Sequence, residues 1–480
     1  MKDELEIFLE KFNVLTLKSK EIPKNAAFVA YSGSKYDGRD FIQEAINNGA
    51  KGVIFEAQDF QKKLNLDIPS IAINDLKSKL PSIAAKFYKH PSKKISIVGI
   101  TGTNGKTTTA YWLSQCLNYL KIKTAFLGTL GYGDANEFKK IQNTTPSAID
   151  LQHIIRESYK KKYKNIAMEV SSHGISEKRI ENIDFNYRLF TNLSRDHLDY
   201  HKTINEYAAV KKKFMLSEKN GKIIVNIDDK VGESIFNESM LPTEKKISFS
   251  IYKKSDIQAI NISYNRMSLK FDLNYFEESF PINLQASGEF NVYNILGVVG
   301  CLSAQGFEIN EIIESLKSIN PVPGRAEFIM SNDDLPMVMI DYAHTADALE
   351  NILKCVKNND FKKIILVFGV GGGRDKGKRK AMAEIAEQLA DNCIITTDNP
   401  RDENPLEIIK DISKYFNHKP MEIIDRKEAI CKAITCAEKD DLVVVAGKGH
   451  EDYQEIGEKR IYFSDKKVIE DFLKERELKN

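Results

Sequence analysis

The 480-residue sequence holds no stretch able to cross a membrane: its longest apolar runs, such as Ile364–Val370, fall far short of the roughly 18 residues a span needs. The N-terminus, MKDELEIFLEKFNV, also lacks the uninterrupted apolar core of a secretion signal. Both absences lead us to expect a cytoplasmic protein with no membrane partner. Charge of one sign is equally lacking, because 70 basic residues stand against 68 acidic ones for a formal +2. A nucleic-acid or anionic-membrane binder would carry a clear excess, so neither is expected, and any anion must be held by local charge. Cysteine is sparse. Cys116, Cys301, Cys355, Cys393, Cys431 and Cys436 form no CxxC pair, which argues against a disulfide framework or structural zinc and for ordinary buried thiols. Internal repeats and low-complexity tracts are missing as well.

What is present is α/β alternation. A chain of this length is expected to hold roughly three domains. Two short segments, His90–Lys94 and Asn320–Gly324, separate blocks of different patterning and divide the chain into residues 1–92, 93–326 and 327–480. In the first block short apolar strands (Ala27–Ala30, Gly52–Phe55, Ser70–Ile73) alternate with helical segments such as Phe41–Asn48. The central block opens with the buried-strand run Ile95–Ile100, then a glycine loop, then a helix whose Leu113, Cys116, Leu117 and Leu120 share one face. It stays α/β to about Asp229, turns β-rich over Ile247–Leu284 and returns to helix at Asn291–Ala304. The last block alternates strands Met337–Ile340, Lys363–Val370, Cys393–Thr397 and Leu442–Ala446 with helices Ala346–Lys357, Ala381–Leu389, Leu406–Phe416 and Lys427–Ala437. Such alternation implies a parallel sheet covered on both faces. The expected fold is therefore α/β in three domains: a small N-terminal α/β domain, a central P-loop domain with a mainly parallel sheet and a short β-rich part, and a Rossmann-like C-terminal domain. Ligands of the last should gather at the carboxyl ends of its strands.

Between strand and helix lies Thr101-Gly102-Thr103-Asn104-Gly105-Lys106-Thr107, followed by Thr108. A loop running into a helix start offers backbone N–H groups and the positive end of the helix dipole to phosphates, while Lys106 adds a mobile charge and Thr107 a hydroxyl for Mg²⁺. The common pattern G-x-x-x-x-G-K-[ST] would put glycine at position 100, yet Ile100 stands there and the glycine has moved to 102. ATP binding through a variant loop is expected; a chance glycine turn would not combine the lysine, the threonine and the strand–loop–helix context. A second glycine and lysine run, Gly371–Lys378, is not read as a phosphate loop, because Lys378 is followed by neither Ser nor Thr.

The variant loop resembles that of the Mur ligase superfamily, which includes folylpolyglutamate synthetases. Met168-Glu169-Val170-Ser171-Ser172-His173 and Asn143-Thr144-Thr145-Pro146 look like the UDP-N-acetylmuramoyl-tripeptide synthetase branch. Thr191-Asn192-Leu193, Asp196–His201, Gly288–Asn294 and Asp341-Tyr342-Ala343-His344 extend the resemblance over essentially the whole chain. It implies ATP-dependent amide formation in peptidoglycan precursor synthesis. The acceptor's terminal carboxylate becomes an acyl phosphate, and an amino acid's amine then displaces phosphate. Both steps gather negative charge, so metal ions and Lys106 would supply most of the stabilisation. The resemblance implies Thr107, Glu169 and His197 as Mg²⁺ ligands, with Lys211 as a CO₂-derived carbamate (N6-carboxylysine), and Asn192 beside them in the catalytic set. Lys211 lies in Tyr207–Phe214, where three consecutive lysines leave Lys212 as the alternative and a solvated basic helix face would account for Lys212 and Lys213. Taken singly, Glu169 could be a solvated strand-end charge and His197 a capped loop histidine. Asn294 is implied as an adenine contact, and Arg325, Asp341 and His344 as groups around the phosphates and ribose.

For the acceptor, UDP-N-acetylmuramoyl-L-alanyl-D-glutamate, the resemblance implies Asn143, Thr144, Thr145, Ser171, Glu177 and Arg179. Near the uridine site the family's D-S-R-like motif reads Lys18-Ser19-Lys20, so only Ser19 carries over, while Asp37–Phe41 keeps the second half of that pattern. For the amine, Asp398-Asn399-Pro400-Arg401 resembles the motif of ligases that add meso-diaminopimelate, with Arg374, Gly447 and Glu451 as further contacts. Arg401 can hold the distal carboxylate through two parallel hydrogen bonds; lysine lacks that carboxylate and would leave the guanidinium unpaired. Rival readings are a lysine-adding ligase, a folylpolyglutamate synthetase, and a P-loop ATPase or switch that makes no amide. The separate N-terminal domain and the 168–173 and 398–401 motifs favour diaminopimelate ligation. A monomer acting on small molecules is expected.

Overall fold

Strand Ala26–Ala30 shows how the N-terminal part folds: Ala27 and Val29 enter one apolar cluster with Phe8, Leu15 and Leu80, while Phe28 and Ala30 enter another with Ile42, Ala45 and Val53. A strand buried on both faces needs layers on both sides. The computed structural model describes residues 4–33, 36–59, 66–134, 137–217, 221–239, 241–265, 268–329 and 335–477. The chain divides into two units, residues 1–99 with 121–188, and residues 100–120 with 189–480. Two of the three boundaries fall inside strands, Ser96–Thr101 and Tyr187–Phe190, and the third follows helix Lys106–Tyr119.

The first unit opens with a four-stranded parallel sheet in the order Val14–Thr16, Ala26–Ala30, Gly52–Glu56, Ser70–Ile73. It continues with the parallel pair Thr124–Gly128 and Asn165–Glu169, against which Gly131–Asp134 and Glu137–Lys139 add antiparallel strands. Helix Ala148–Lys160 starts where the Ser147 side chain accepts from the Asp150 N–H, an N-cap that satisfies one donor of the first turn.

In the second unit strands Lys222–Asn226, Lys246–Ser250 and Ile257–Tyr264 pair in parallel, and Leu269–Tyr275 and Glu278–Leu284 follow as an antiparallel meander. Helix Glu289–Ala304 is apolar nearly all round, burying Val292, Ile295, Leu296, Val298 and Val299. That suits a helix packed between those strands and helix Lys106–Tyr119. The C-terminal sheet runs Glu327–Ile329, Met337–Asp341, Leu442–Ala446, Ile364–Phe368, Asn392–Ile395, Met421–Glu422, and only the first strand is antiparallel. Leu366, Phe368, Val444 and Ala446 enter one core; Ile365, Val367, Val443 and Val445 enter the other. The α/β fold with a Rossmann-like last part is as expected.

Some elements differ from expectation. The helix expected from Ala381 begins at Gly377, because Lys376 already has α-helical backbone. Strand Val14–Thr16, the hairpin Tyr453–Ile456 with Lys459–Tyr462, and helix Asp465–Glu477 were not anticipated. Among the described residues no helix is long and apolar enough to cross a membrane. All six cysteines are free thiols, and burial pushes Cys116 up to about 12 and Cys355 to about 11.

Candidate active site

Glycine is dictated at both loop positions. Gly102 has φ +149°, and a Cβ there would stand 1.8 Å from Thr191 Oγ1 and 3.0 Å from the Asn192 backbone. Gly105, at φ +83°, starts helix Lys106–Tyr119 without a side-chain cap, and its Cβ would meet Asn294 Oδ1 at 2.4 Å. Position 100 needs no glycine because Ile100 is a buried strand residue. The bare α-carbon at 102 lets the end of the neighbouring strand lie against the loop. Thr103 N–H donates to Asn192 O (2.8 Å), Asn104 N–H to Asn192 Oδ1 (3.0 Å), and Thr191 Oγ1 to Asn104 O (2.7 Å). Lys106 Nζ folds back onto the carbonyls of Gly102 (3.0 Å) and Thr103 (2.6 Å).

Beside the loop lies a cavity of about 550 Å³, a size usual for small-molecule sites. Asn104, Gly105, Thr108, Asn192, Asn294, Arg325, Asp341 and His344 all line it. Arg325 Nη2 donates to Thr107 Oγ1 (3.1 Å), its guanidinium lies 4.4 Å from the Tyr342 ring centre, and its Nε is buried without a hydrogen-bond partner among the described residues. Burial raises the Asp341 carboxyl, which accepts from Ala326 N–H (2.7 Å), and burial lowers His344, whose Nδ1 lies 2.9 Å from Tyr342 O. Sequence reasoning missed Tyr293, which lines the cavity and whose hydroxyl donates to Asp228 (2.9 Å).

Lys211 and Lys212 differ sharply. Lys211 is 1% exposed, and its Nζ donates to Gly102 O (2.7 Å) and lies 4.6 Å from the Tyr207 ring centre. Burial first, and Lys106 second, push its amine well below the usual lysine range. Lys212 instead pairs with Glu238 (2.9 Å) in partial contact with solvent. His197 has φ +54° and sits 3.3 Å from Asp196, which Lys378 grips at 2.6 Å. Burial works to raise the Asp196 carboxyl, yet His197, His344 and Lys378 hold it well below the usual range. Among the described residues no three His, Cys, Asp or Glu gather as a metal cluster. The expected set has a different make-up: a hydroxyl (Thr107), an imidazole (His197), a carboxylate (Glu169) and an amine that becomes an anion only as a carbamate. Glu169 belongs to the first unit, the other three to the second.

In the first unit five of the expected acceptor residues, Thr144, Thr145, Ser171, Glu177 and Arg179, form one network with Glu169. Glu169 accepts from Thr129 N–H (2.8 Å) and Oγ1 (3.2 Å), and a Cβ on Gly128 would strike Glu169 Oε1 at 2.2 Å. Thr129 Oγ1 is 3.2 Å from Thr144 Oγ1. Thr145 Oγ1 donates to Glu169 O (3.0 Å) and accepts from Ser171 N–H (2.9 Å). Arg179 donates to Thr145 O (2.8 Å) and holds Glu177 through Nε (2.9 Å) and Nη2 (2.6 Å). Asn143 is exposed next to Thr144. Ser19 stands apart from this network, donating to Glu44 Oε2. Thr129, central here, carried no sequence signal.

Most of the residues expected to hold the amine meet at the carboxyl ends of the C-terminal strands. Asn399 Nδ2 donates to Glu451 Oε2 (3.0 Å), and Asn399 Oδ1 accepts from Glu455 N–H (2.9 Å). Gly372 N–H donates to Asn399 O (3.0 Å), and a Cβ on Gly372 would strike Pro400 O at 2.0 Å. Burial raises the Asp398 carboxyl, and a Cβ on Gly447 would meet it at 2.5 Å. Arg401, at φ +52°, gives Nε to Glu455 (2.9 Å) and Nη1 to Gly372 O (2.7 Å), while Nη2 has no bond among the described residues. Arg374 is not part of this cluster; it reaches Asp199 at 3.4 Å. Glu455 and Lys448 were missed, the first because its hairpin was missed and the second although it lies between the expected contacts Gly447 and Glu451.

A P-loop cavity and a Rossmann-like C-terminal sheet are the parts expected of an ATP-dependent amide ligase of the Mur class. Family profiles described as "Mur ligase family, catalytic domain", "Mur ligase middle domain" and "Mur ligase, glutamate ligase domain" match residues 11–88, 100–302 and 324–449. The chain belongs to the Mur ligase family. More particularly, it is similar to UDP-N-acetylmuramoyl-L-alanyl-D-glutamate--2,6-diaminopimelate ligase 1 of Clostridium acetobutylicum, 38% identical over 96% of this chain and 94% of the relative. The ligase of that name from Aquifex aeolicus is 38% identical over 98% and 95%. A solved structure titled as this ligase superposes with a TM-score of 0.64 at 30% identity, covering 97% of this chain and 95% of its own.

Proposed function

We propose that this protein joins meso-2,6-diaminopimelate to the D-glutamate carboxylate of UDP-N-acetylmuramoyl-L-alanyl-D-glutamate, converting ATP to ADP and phosphate through an acyl phosphate. The observation that carries the reading is Arg401, fixed by Glu455 and Gly372 O with Nη2 left for a ligand, beside the Asn399–Glu451 pair. A guanidinium next to a carboxylate suits an amino-acid end that bears both carboxylate and ammonium. In this reading the loop 101–108 holds the phosphates, Lys106 swings from its carbonyl contacts onto them, Asn294 contacts adenine, and Arg325, Asp341 and His344 surround ribose and phosphates. Mg²⁺, held by Thr107, Glu169, His197 and a carbamate on Lys211, would neutralise the developing phosphoryl charge. Burial of Lys211 supports that modification, because only a neutral amine adds CO₂. Thr144, Thr145, Ser171, Glu177 and Arg179 orient the acceptor, with Asn143 and Ser19 at its periphery. The three parts 1–92, 93–326 and 327–480 would serve uridine, ATP and amino acid respectively, in a monomer of the cytoplasm, where ATP and nucleotide-linked precursors are at hand.

The test is a product assay with purified protein, ATP, Mg²⁺, the UDP-linked dipeptide and either diaminopimelate or L-lysine. Amide product with diaminopimelate alone is expected. Equal product from lysine would overturn the selectivity, and ATP hydrolysis independent of both substrates would favour the ATPase reading.

A further inference from the structure

Lys448 is a buried charge beside the amine site to which the proposed reaction gives no task. Its side chain has no solvent exposure, and an interior ammonium is costly unless it is paired. Nζ donates to Glu451 Oε2 (3.0 Å) and Asn399 Oδ1 (3.2 Å) and lies 5.4 Å from the Tyr453 ring centre. With the Asn399–Glu451 bond this closes a triangle of three side chains. The flanking Gly447 and Gly449 have φ +114° and +53°, and a Cβ on Gly449 would strike Gly324 O at 2.7 Å. The turn that drives Lys448 inward is thus built for glycine.

The charges of the site balance. Asp398, Glu451, Glu455 and the neighbouring Asp465 stand against Lys448, Arg401, Arg460 and Arg426, with Arg460 pairing with Glu455 at 2.9 Å and Arg426 with Asp465 at 2.7 Å. The distal end of diaminopimelate, ammonium plus carboxylate, is also neutral; the distal end of lysine is a lone cation. Resting on the amine-site reading above, we infer that Lys448 is a positioning residue that determines specificity. It fixes Asn399 and Glu451, and its charge keeps the site neutral, so that a zwitterionic end is preferred over a lone ammonium.

Full-length Lys448→Met and Lys448→Arg variants test this through KM and kcat for diaminopimelate and for L-lysine, with KM for ATP as the control. Lys448→Met should raise the diaminopimelate KM about tenfold or more, the effect of losing roughly 1.4 kcal/mol. It should also shift the diaminopimelate-to-lysine ratio of kcat/KM toward lysine and leave KM for ATP unchanged. Lys448→Arg should recover much of the ratio. A folded Lys448→Met enzyme with unchanged amine KM or unchanged ratio overturns the inference, as does an equal loss for ATP and amine. If Lys448→Met does not fold, Lys448→Arg decides alone: charge is kept while the triangle is displaced, so KM should rise with the ratio near that of the parent. A collapsed ratio, or an unaltered KM, overturns the inference. A parent enzyme that never ligates diaminopimelate would refute the amine assignment itself, which is a separate failure.

Discussion

Gly102→Ala probes the displaced loop glycine directly. The new methyl would stand 1.8 Å from Thr191 Oγ1, so Thr191 must rotate and give up its bonds to Asn104 O (2.7 Å) and Thr101 O (3.3 Å). Each contributes about 1 kcal/mol net. Contacts at 3.0 Å to Asn192 N and O are with backbone and cannot rotate away, and a side chain at φ +149° adds roughly 1–3 kcal/mol. The sum is about 3–5 kcal/mol. The free enzyme can shed part of this strain by letting the loop move, but bound phosphates require the loop in place, so the strain returns on binding. ADP affinity by calorimetry should fall on the order of a hundredfold, the equivalent of about 3 kcal/mol. Thermal stability without nucleotide should fall less than stability with it. Replacing Thr191 by Ala on the same background should restore part of the affinity. Unaltered ADP affinity in Gly102→Ala would refute the steric argument, and lack of any rescue would refute Thr191 as the partner.

Lys211→Ala should abolish ligation, and a short carboxylic acid should restore part of it; full activity without the acid would remove Lys211 from the metal-holding set. Arg401→Ala should raise the diaminopimelate KM by about a hundredfold or more, because the distal carboxylate loses its guanidinium partner, while KM for ATP stays put; parallel losses in both would point to a folding defect instead. The wholly buried pair Arg426–Asp465, at 2.7 Å with 0% exposure of both side chains, should behave asymmetrically. Arg426→Met strands an interior carboxylate at a cost of about 3–5 kcal/mol, a melting-point drop of roughly 10 °C at ~2–4 °C per kcal/mol. Arg426→Met with Asp465→Leu should recover most of it, and a double variant as unstable as the single one would contradict the pair's role.

The C-terminal sheet was legible because its strands are apolar on both faces and its helices amphipathic. Met337–Asp341 and Leu442–Ala446 lie where hydrophobic runs place them, and helix Ala346–Lys357 begins at Thr345, whose side chain accepts from the Ala348 N–H. Ends blurred where a turn competes with periodicity, as at Gly377. Val14–Thr16 has three residues, too few for any period to appear. The hairpin was hidden for another reason: Tyr453, Gln454 and Glu455 are only half-buried, and Ile456 and all of Lys459–Tyr462 are exposed, so no buried face marks them.

That hairpin separates what a motif can say from what a fold must supply. Asp398–Arg401 marks residues proposed to hold the amine, but nothing in four residues tells how Arg401 is aimed. Arg401 N–H donates to Glu455 O (2.9 Å), Gly457 N–H to Arg401 O (2.8 Å), and Arg401 Nε to Glu455 Oε2 (2.9 Å). These bonds hold a left-handed backbone, φ +52°, that an isolated arginine would avoid. The guanidinium's direction is therefore set by a segment some fifty residues later in the chain, as the 54-residue separation of the Arg401–Glu455 pair states. A motif reports the chemistry that a site requires; its geometry resides in contacts whose partners have no spacing rule of their own. By the same logic Lys448 and Glu455 entered the site only through the structure, although Lys448 lies between the expected contacts Gly447 and Glu451 and Glu455 four residues beyond the second. If Arg401's aim depends on the hairpin, Glu455→Ala should impair diaminopimelate binding nearly as much as Arg401→Ala, without Glu455 touching substrate. Amine KM values for the two variants and their combination would decide it, since residues acting through one another give non-additive losses, and additive losses would show that the hairpin does not aim Arg401.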